Sequence, residues 1–568
     1  MQLLDSRRLT GPSLLLDVPG AILDVEVDRG EARRAESLWR SALTDYLGAL
    51  GWTGAPIATR PYARGVMLAF GAPADALYAS TEVNEAAWSC VVAAFEGTPA
   101  PDRESTLTLL RAAINEERKP WFLALAAAAD AQGATLLADD RRLSVGLGTG
   151  SVAWPIEESE RVIPKLAWKW VHDVPTLLVT GTNGKTTTVR LLGAMAAAAG
   201  LTGGTTSTDT VTVGAEVVAE GDFSGPNGAR TVLRDRRVEI GILEVARGGI
   251  LRRGLPLPRV TAAIVTNVAN DHLGEFGIDD LAGLADAKMV VAKAVEPEGR
   301  VILNADDPLL LERGMRLRKP VTWFTLDAAH REVAAHLATG GDACLLEGDA
   351  LVFARGAERR VVARLAEVPL TFGGAARHNI ANALAAIAGA SAADLPFDAI
   401  ARALASFVSD PAHNPGRANV WNVCGAKVIV DFAHNPHGME ALARMMAAMP
   451  AARRGLVIGQ AGDRDDESIR ELARSAWAMH PDRIFVKELE TYLRGRERGV
   501  VPGMLQQEFR ALGAGDGALS RHESELDAVR AALAWLKSGD LLLLTVHEDR
   551  EGVGELLDGL GAAGQAKR

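Results

Sequence analysis

At 568 residues the chain is too long for one hydrophobic core and is expected to divide into about three or four domains of ~150 residues each. Apolar content of 48%, charged content of 23% and a formal net charge of -11 describe a globular fold and argue against nonspecific nucleic-acid binding. The scattered cysteines Cys90, Cys344 and Cys424 argue against a disulfide framework or a zinc spacing, and the N-terminus lacks the apolar region of a signal peptide, so a soluble cytoplasmic protein without membrane spans is expected.

Residues 1–160 mix an alternating stretch, Gly65 to Phe70, with helical periodicity over Asn84 to Phe95 and Thr106 to Glu117, and read as a small α+β domain. Leu143 to Trp154 is glycine-rich but is followed by no lysine, which makes it a weak nucleotide loop. Residues 161–175 read as a linker.

The run Thr176-Leu-Leu-Val-Thr-Gly-Thr-Asn-Gly-Lys-Thr-Thr-Thr188 reads as a buried strand, a glycine turn and a helix start. Gly181 and Gly184 let backbone N–H groups approach an anion, and the helix from Thr186 adds the positive end of its dipole. Lys185 would then reach the outer phosphates of ATP, with Thr186 as a Mg²⁺ ligand and Thr182, Asn183 and Thr187 completing the loop. The generic phosphate-loop spacing fails, because Val179 stands where its first glycine belongs. The uncharged run Leu191 to Thr208 is read as the helix and turn behind this loop.

From Val174 to about Pro415, strand, loop and helix repeat, with apolar strands expected at Glu239 to Val245, Ala262 to Asn267 and Arg300 to Asn304. In a mostly parallel sheet, ligands gather at the carboxyl ends of strands, where Glu244, Asn267, Asp271, His272 and Asp306 fall. A second, Rossmann-like α/β unit begins near Gly416, with strands at Lys427 to Ala433, Gly455 to Gly459, Arg483 to Lys487 and Leu541 to Val546. Its helix Glu525 to Lys537 places Leu526, Val529, Leu533 and Leu536 on one face.

The form Thr-Gly-Thr-Asn-Gly-Lys-Thr resembles the phosphate loop of the Mur ligase superfamily, and further stretches match that superfamily in order. The resemblance implies that Glu244 and His272 are ligands of a second metal and that Lys288 is a lysine carbamylated by carbon dioxide. It also implies that Asn379 contacts adenine, that Arg417 reaches the phosphates from an interdomain linker, and that Asp431 assists the nucleotide. His434 and Asn435 would lie at the site of the incoming amine. The residues alone leave alternatives: Glu244 paired with Arg247 or Arg252, His272 as a loop histidine, Lys288 as an unmodified surface lysine, and Arg417 solvated.

Within the superfamily, Glu220 to Pro226, Ala246 to Leu255, Gly462-Asp-Arg464 and Leu493-Arg-Gly-Arg496 resemble the Mur-ligase-like half of the cyanophycin synthetases, over about 174–510. Residues 1–160 resemble their N-terminal domain faintly. Those enzymes carry an ATP-grasp domain where this chain has residues 161–175.

The resemblance implies domains at 1–160, 174–415 and 416–568, and an ATP- and Mg²⁺-dependent ligase joining a small-molecule carboxylate to an amino-acid-like amine through an acyl phosphate. ADP and phosphate are the expected by-products, with one amide bond formed per acceptor carboxylate. Arg464, Arg494 and Arg496 would pair with a carboxylate of the amine substrate and Asp463, Asp465 and Asp466 with a cation on it, unless both sets form a solvated loop. The alternatives are a catalytically inactive nucleotide-binding subunit and a folylpolyglutamate- or peptidoglycan-type ligase. A homo-oligomer is compatible with the sequence.

Overall fold

The computed structural model describes residues 1–271 and 273–565, with side chains described through 560. Three sheets of four, eleven and six strands follow one another along the chain, with a three-stranded sheet between the first two. Among the described residues no helix is long and apolar enough to cross a membrane.

The first sheet is antiparallel, in the order Gln2–Leu9, Gly20–Glu26, Gly65–Gly71, Ile57–Tyr62. Leu23, Val25, Leu68 and Phe70 bury one face against Trp39 and Leu43 of helix Ala32–Leu50, Val83 and Trp88 of helix Leu77–Glu96, and Leu107 of helix Arg103–Glu117. The stretch expected as a weak glycine loop is instead a small meander, Leu136–Ala138, Arg142–Val145 and Val152–Pro155. Leu137 and Leu147 from it enter the same buried cluster as Leu178 and Leu243 of the large sheet.

The large sheet is parallel over its seven inner strands, in the order Gly203–Thr206, Ile240–Glu244, Thr176–Thr180, Val260–Val265, Val295–Asn304, Val321–Thr325, Asp342–Glu347. Antiparallel strands extend it at both edges. Alternation of side chains sends Leu177, Val179, Ile242 and Ile264 into one core and Leu178, Leu243 and Val265 into another, so both faces are covered and these strands read as unbroken apolar runs. The uncharged stretch behind the loop is helix Lys185–Ala198 followed by strand Gly203–Thr206.

The third sheet runs Asn419–Val423, Ala426–Asp431, Leu541–Thr545, Arg454–Ile458, Arg483–Lys487, Leu519–His522, parallel except for its first hairpin. Helix Glu525–Trp535 ends two residues before its expected limit, and its most buried side chains are Glu525, Ala528, Val529 and Ala532; Leu526, Leu533 and Leu536 pack at the margin of that core. The buried position of Glu525 was not legible in the leucine spacing.

Candidate active site

A cavity of about 1630 Å³ opens where the carboxyl ends of the large sheet's strands face the third sheet. The phosphate loop forms its floor. Gly181 and Gly184 have φ of 148° and 85°, and a Cβ would lie 1.8 Å from Thr266 Oγ1 at the first and 2.2 Å from Asn382 Oδ1 at the second, so both positions require glycine. The neighbouring strand end holds the loop: Asn183 N donates to Asn267 Oδ1 at 3.0 Å, Thr182 N to Asn267 O at 3.0 Å, and Thr266 Oγ1 to Asn183 O at 2.6 Å. Lys185 Nζ donates to the carbonyls of Gly181 and Thr182 at 3.1 and 2.9 Å. Thr187 lines the cavity beside it.

Glu244 ends its strand 2% exposed. Thr186 Oγ1 donates to its Oε2 at 2.8 Å, while its buried Oε1 has no hydrogen-bond partner among the described residues. Burial raises the carboxyl's pKa above the usual range, against the opposing charge of Lys185. The expected alternative, an ion pair to Arg247 or Arg252, is not what the structure has: Arg247 pairs with Glu275, and Arg252 stacks on Phe276. A hydroxyl and a carboxylate with an unpartnered buried oxygen are hard oxygen donors suited to Mg²⁺. Among the described residues no three His, Cys, Asp or Glu side chains converge as a metal cluster. His272 lies outside the described residues.

Lys288 lines the cavity from helix Leu281–Met289, 3% exposed, so it is not a surface lysine. Burial, reinforced by Lys185, holds its pKa well below the ordinary value. Asn379 also lines the cavity, but its amide is engaged with the scaffold: Nδ2 donates to Leu370 O at 3.1 Å and Oδ1 accepts from Asn382 at 3.2 Å.

The third domain closes the site with the strap 431–435. Asp431 accepts from Ala418 N and Ala433 N at 2.8 Å each, and burial raises its pKa. Arg417 enters the cavity with its guanidinium 5.1 Å from the Phe432 ring centroid. His434 lines the cavity, and burial lowers its pKa to about 4. Asn435 does not. It caps helix Pro436–Ala448 through Gly438 N at 2.8 Å and exchanges amide hydrogen bonds of 3.2 and 3.1 Å with Asn183 of the phosphate loop. An N-cap asparagine before proline is the expected pattern at a helix start, so Asn435 ties two domains together rather than facing the amine.

The expected amine-side residues also separate. Arg464 lines the cavity and pairs with Asp271 at 3.2 Å, and Arg494 lines it while paired with Asp463 at 2.6 Å. Arg496 is outside the lining; its guanidinium donates to Gly462 O and Arg464 O and pairs with Asp466, holding their loop in shape. Asp465 is a helix N-cap. Sequence reasoning missed His437, whose Nδ1 accepts from Asn183 Nδ2 at 2.8 Å, although it lies two residues beyond Asn435.

The end of strand Gln2–Leu9 and the turn after it brace this wall from behind. Thr10 N donates to Arg253 O at 2.8 Å, Leu255 N to Pro12 O at 2.7 Å and Arg7 Nε to Leu251 O at 2.9 Å, which fixes the segment carrying Arg247 and Arg252.

Comparison with known proteins agrees with this architecture. Residues 179–390 match the Mur ligase middle domain and residues 416–545 the Mur ligase glutamate ligase domain. The chain is 37% identical over 358 residues, 63% of its length, to cyanophycin synthetase of Nostoc sp. (strain PCC 7120 / SAG 25.82 / UTEX 2576), covering 39% of that protein. It is 39% identical over 339 residues, 59% of its length, to that of Synechocystis sp. (strain ATCC 27184 / PCC 6803 / Kazusa), covering 38%. It thus spans about two fifths of the length of these curated relatives. A structure of E. coli FolC in complex with ADP, without folate substrate, shares the fold with TM-score 0.50 and 21% identity over 68% of this chain and 89% of that one. Through residues 179–390 and 416–545, the chain belongs to the Mur ligase family.

Proposed function

We propose that the protein is an ATP-dependent ligase that couples a small-molecule carboxylate to the amine of an amino acid or similar molecule, giving an amide, ADP and phosphate. The observation that supports this reading is the convergence on one cavity of the phosphate loop, the partly unpartnered Glu244 and the strap bearing His434. In the proposed division, residues 174–415 hold ATP, residues 416–568 hold the amine, and residues 1–160 brace the acceptor side.

A carboxylate resists attack by an amine because its leaving group would be oxide. Its oxygen therefore attacks the γ-phosphorus of ATP, and ADP leaves; the amine then attacks the acyl carbon, and phosphate leaves. The first step brings two anions together and the second expels one as phosphate, so charge neutralisation helps both. Lys185 supplies a cation to the β- and γ-phosphates and Arg417 a second one from the domain junction. Thr186, Glu244, His272 and a carbamylated Lys288 would hold Mg²⁺, which lowers the charge on the transferring phosphoryl group when bound. The lowering of the Lys288 pKa by burial favours the uncharged amine that uptake of carbon dioxide requires. His434 is neutral above about pH 4 and offers the incoming amine an uncharged imidazole as hydrogen-bond partner. Asn379 faces adenine, and Asp431 keeps the strap beside the nucleotide. Arg464 and Arg494, with Asp463, offer both signs of charge, which suits an amino acid better than a simple amine.

With one phosphate loop and a short connection where the cyanophycin-type enzymes have ATP-grasp, this chain forms one amide per acceptor carboxylate. An ADP-release screen of amino acids, dipeptides and small acids, with products read by mass spectrometry, tests the proposal. A single mass increment per acceptor is expected; products of repeating unit mass made by this protein alone would overturn it.

A further inference from the structure

Behind the strap lies a charged cluster that the reaction as described does not use. Lys487 and Glu525 are 1% and 2% exposed, and their ammonium and carboxylate are in direct contact. Glu525 also accepts three backbone N–H bonds, from His547 at 2.8 Å, Glu548 at 3.0 Å and Asp549 at 2.8 Å, so one side chain shapes the whole turn after strand Leu541–Thr545. Lys487 donates to Thr545 O and lies 3.2 Å from His547 Nδ1. An ammonium only donates, so Nδ1 accepts and the ring proton resides on Nε2. Nε2 then donates to Ala433 O at 3.1 Å.

That last bond reaches the active site. Ala433 is flanked by Phe432 and His434, and all three line the cavity. The Phe432 ring packs against His434 and His547, with centroids 5.1 and 5.3 Å away, and carries Arg417 on it. Ala433 N is taken by Asp431 and His434 O by Gln460 Nε2 at 2.9 Å. The His547 bond supplies the remaining anchor of the Ala433 peptide unit. A buried ion pair is a costly device for stability alone, since an apolar pair of similar volume serves as well or better; here its result is a fixed tautomer aimed at one carbonyl.

We propose that Lys487, Glu525 and His547 are positioning residues that hold the Phe432 to His434 strap in register for the reaction. This rests on the ligase reading above. Burial, with Lys487 adding to it, lowers the His547 pKa to about 3, so the ring stays neutral throughout the working range. For Glu525 burial opposes ionisation, but Lys487 and the N–H donors prevail and bring its pKa down to about 2.

His547→Asn and His547→Gln in the full chain test the proposal. Asn keeps a polar group where Nδ1 meets Lys487 but does not reach Ala433, whereas Gln extends an N–H to that carbonyl. With an acid and amine pair from the ADP-release screen, H547N is expected to lower kcat by ~10–100-fold, as a displaced catalytic element does. The KM for ATP should stay within twofold, and H547Q should stay within a few-fold of wild type. In the ADP-bound protein, hydrogen exchange over 431–436 should accelerate in H547N and not in H547Q. Wild-type kcat and strap protection in H547N, or equal losses in both variants, would overturn the proposal. If no pair releases ADP with the wild type, the ligase reading fails, and the exchange comparison still decides whether His547 positions the strap.

Discussion

Glu244→Gln is expected to stabilise the ligand-free protein while disabling it. The carboxylate is buried, with Oε2 bonded to Thr186 and Oε1 unpartnered, and burial raises its pKa. In the folded chain the group therefore binds a proton more tightly than in the unfolded chain. As pH rises from the unfolded pKa through the folded one, the folded state holds the extra proton, and stability falls with pH. Ionisation of the buried group is thus a net cost to the fold. Gln keeps an acceptor for Thr186 and removes the charge, which should recover the cost of burying that charge, on the order of 1–3 kcal/mol once the amide N–H groups left in its place are counted. The transition containing the large sheet should move up by roughly 2–4 °C per kcal/mol, and its fall in stability as pH rises above the ordinary carboxylate range should flatten. Turnover should fall by ~10²–10³-fold, the scale for losing one preorganised electrostatic group, with more Mg²⁺ required. Thermal unfolding in EDTA, followed across pH, and a magnesium titration of ADP release measure the two halves. A variant that melts lower and turns over normally would show that Glu244 is an anchor for Thr186 and nothing more.

Lys185→Ala should abolish ADP formation and leave the melting temperature nearly unchanged, because its bonds are to two carbonyls of its own loop; calorimetry and an ADP assay in parallel check this. Asn435→Ala should cost ~1 kcal/mol through the lost N-cap and should also weaken coupling between the phosphate loop and the third domain, visible as less stabilisation by ADP in a thermal shift series. The kcat profile should show no ionisation of His434 from pH 6 to 9, since its folded pKa is about 4; a limb near 6.5 that disappears in His434→Ala would contradict its buried, neutral state. Lys288→Ala should be inactive, and decarbonated buffer should slow the wild type reversibly, with bicarbonate restoring the rate.

The phosphate loop was legible because its glycines, lysine and threonines are contiguous and each has a local reason to be there. The polar strand ends followed from the parallel sheet, whose two buried faces leave ligands only its edge of carboxyl termini. What sequence could not supply was pairing over distance. Asn183 and Asn435 meet across 252 positions, and each alone reads as a loop or site residue. Lys487 closes a strand and Glu525 opens a helix, and nothing in either stretch points to the other, 38 positions away, with which the fold pairs it. Arg496 was expected as a substrate ligand because it is a basic group in the stretch assigned to the amine site, yet it is spent on the carbonyls of the facing loop, Gly462 and Arg464. The small meander before the linker was hidden by its glycines, which serve close packing: a Cβ at Gly148 would meet Val238 O at 2.3 Å.

An acyl phosphate formed in this cavity is the central chemistry of the proposed ligase. With the acceptor carboxylate labelled with ¹⁸O and incubated with ATP, Mg²⁺ and the amine found by the screen, mass analysis of the released phosphate is the direct test. One labelled oxygen in phosphate for each amide formed is the predicted result; ADP release with all the label retained in the acceptor or its product would contradict it.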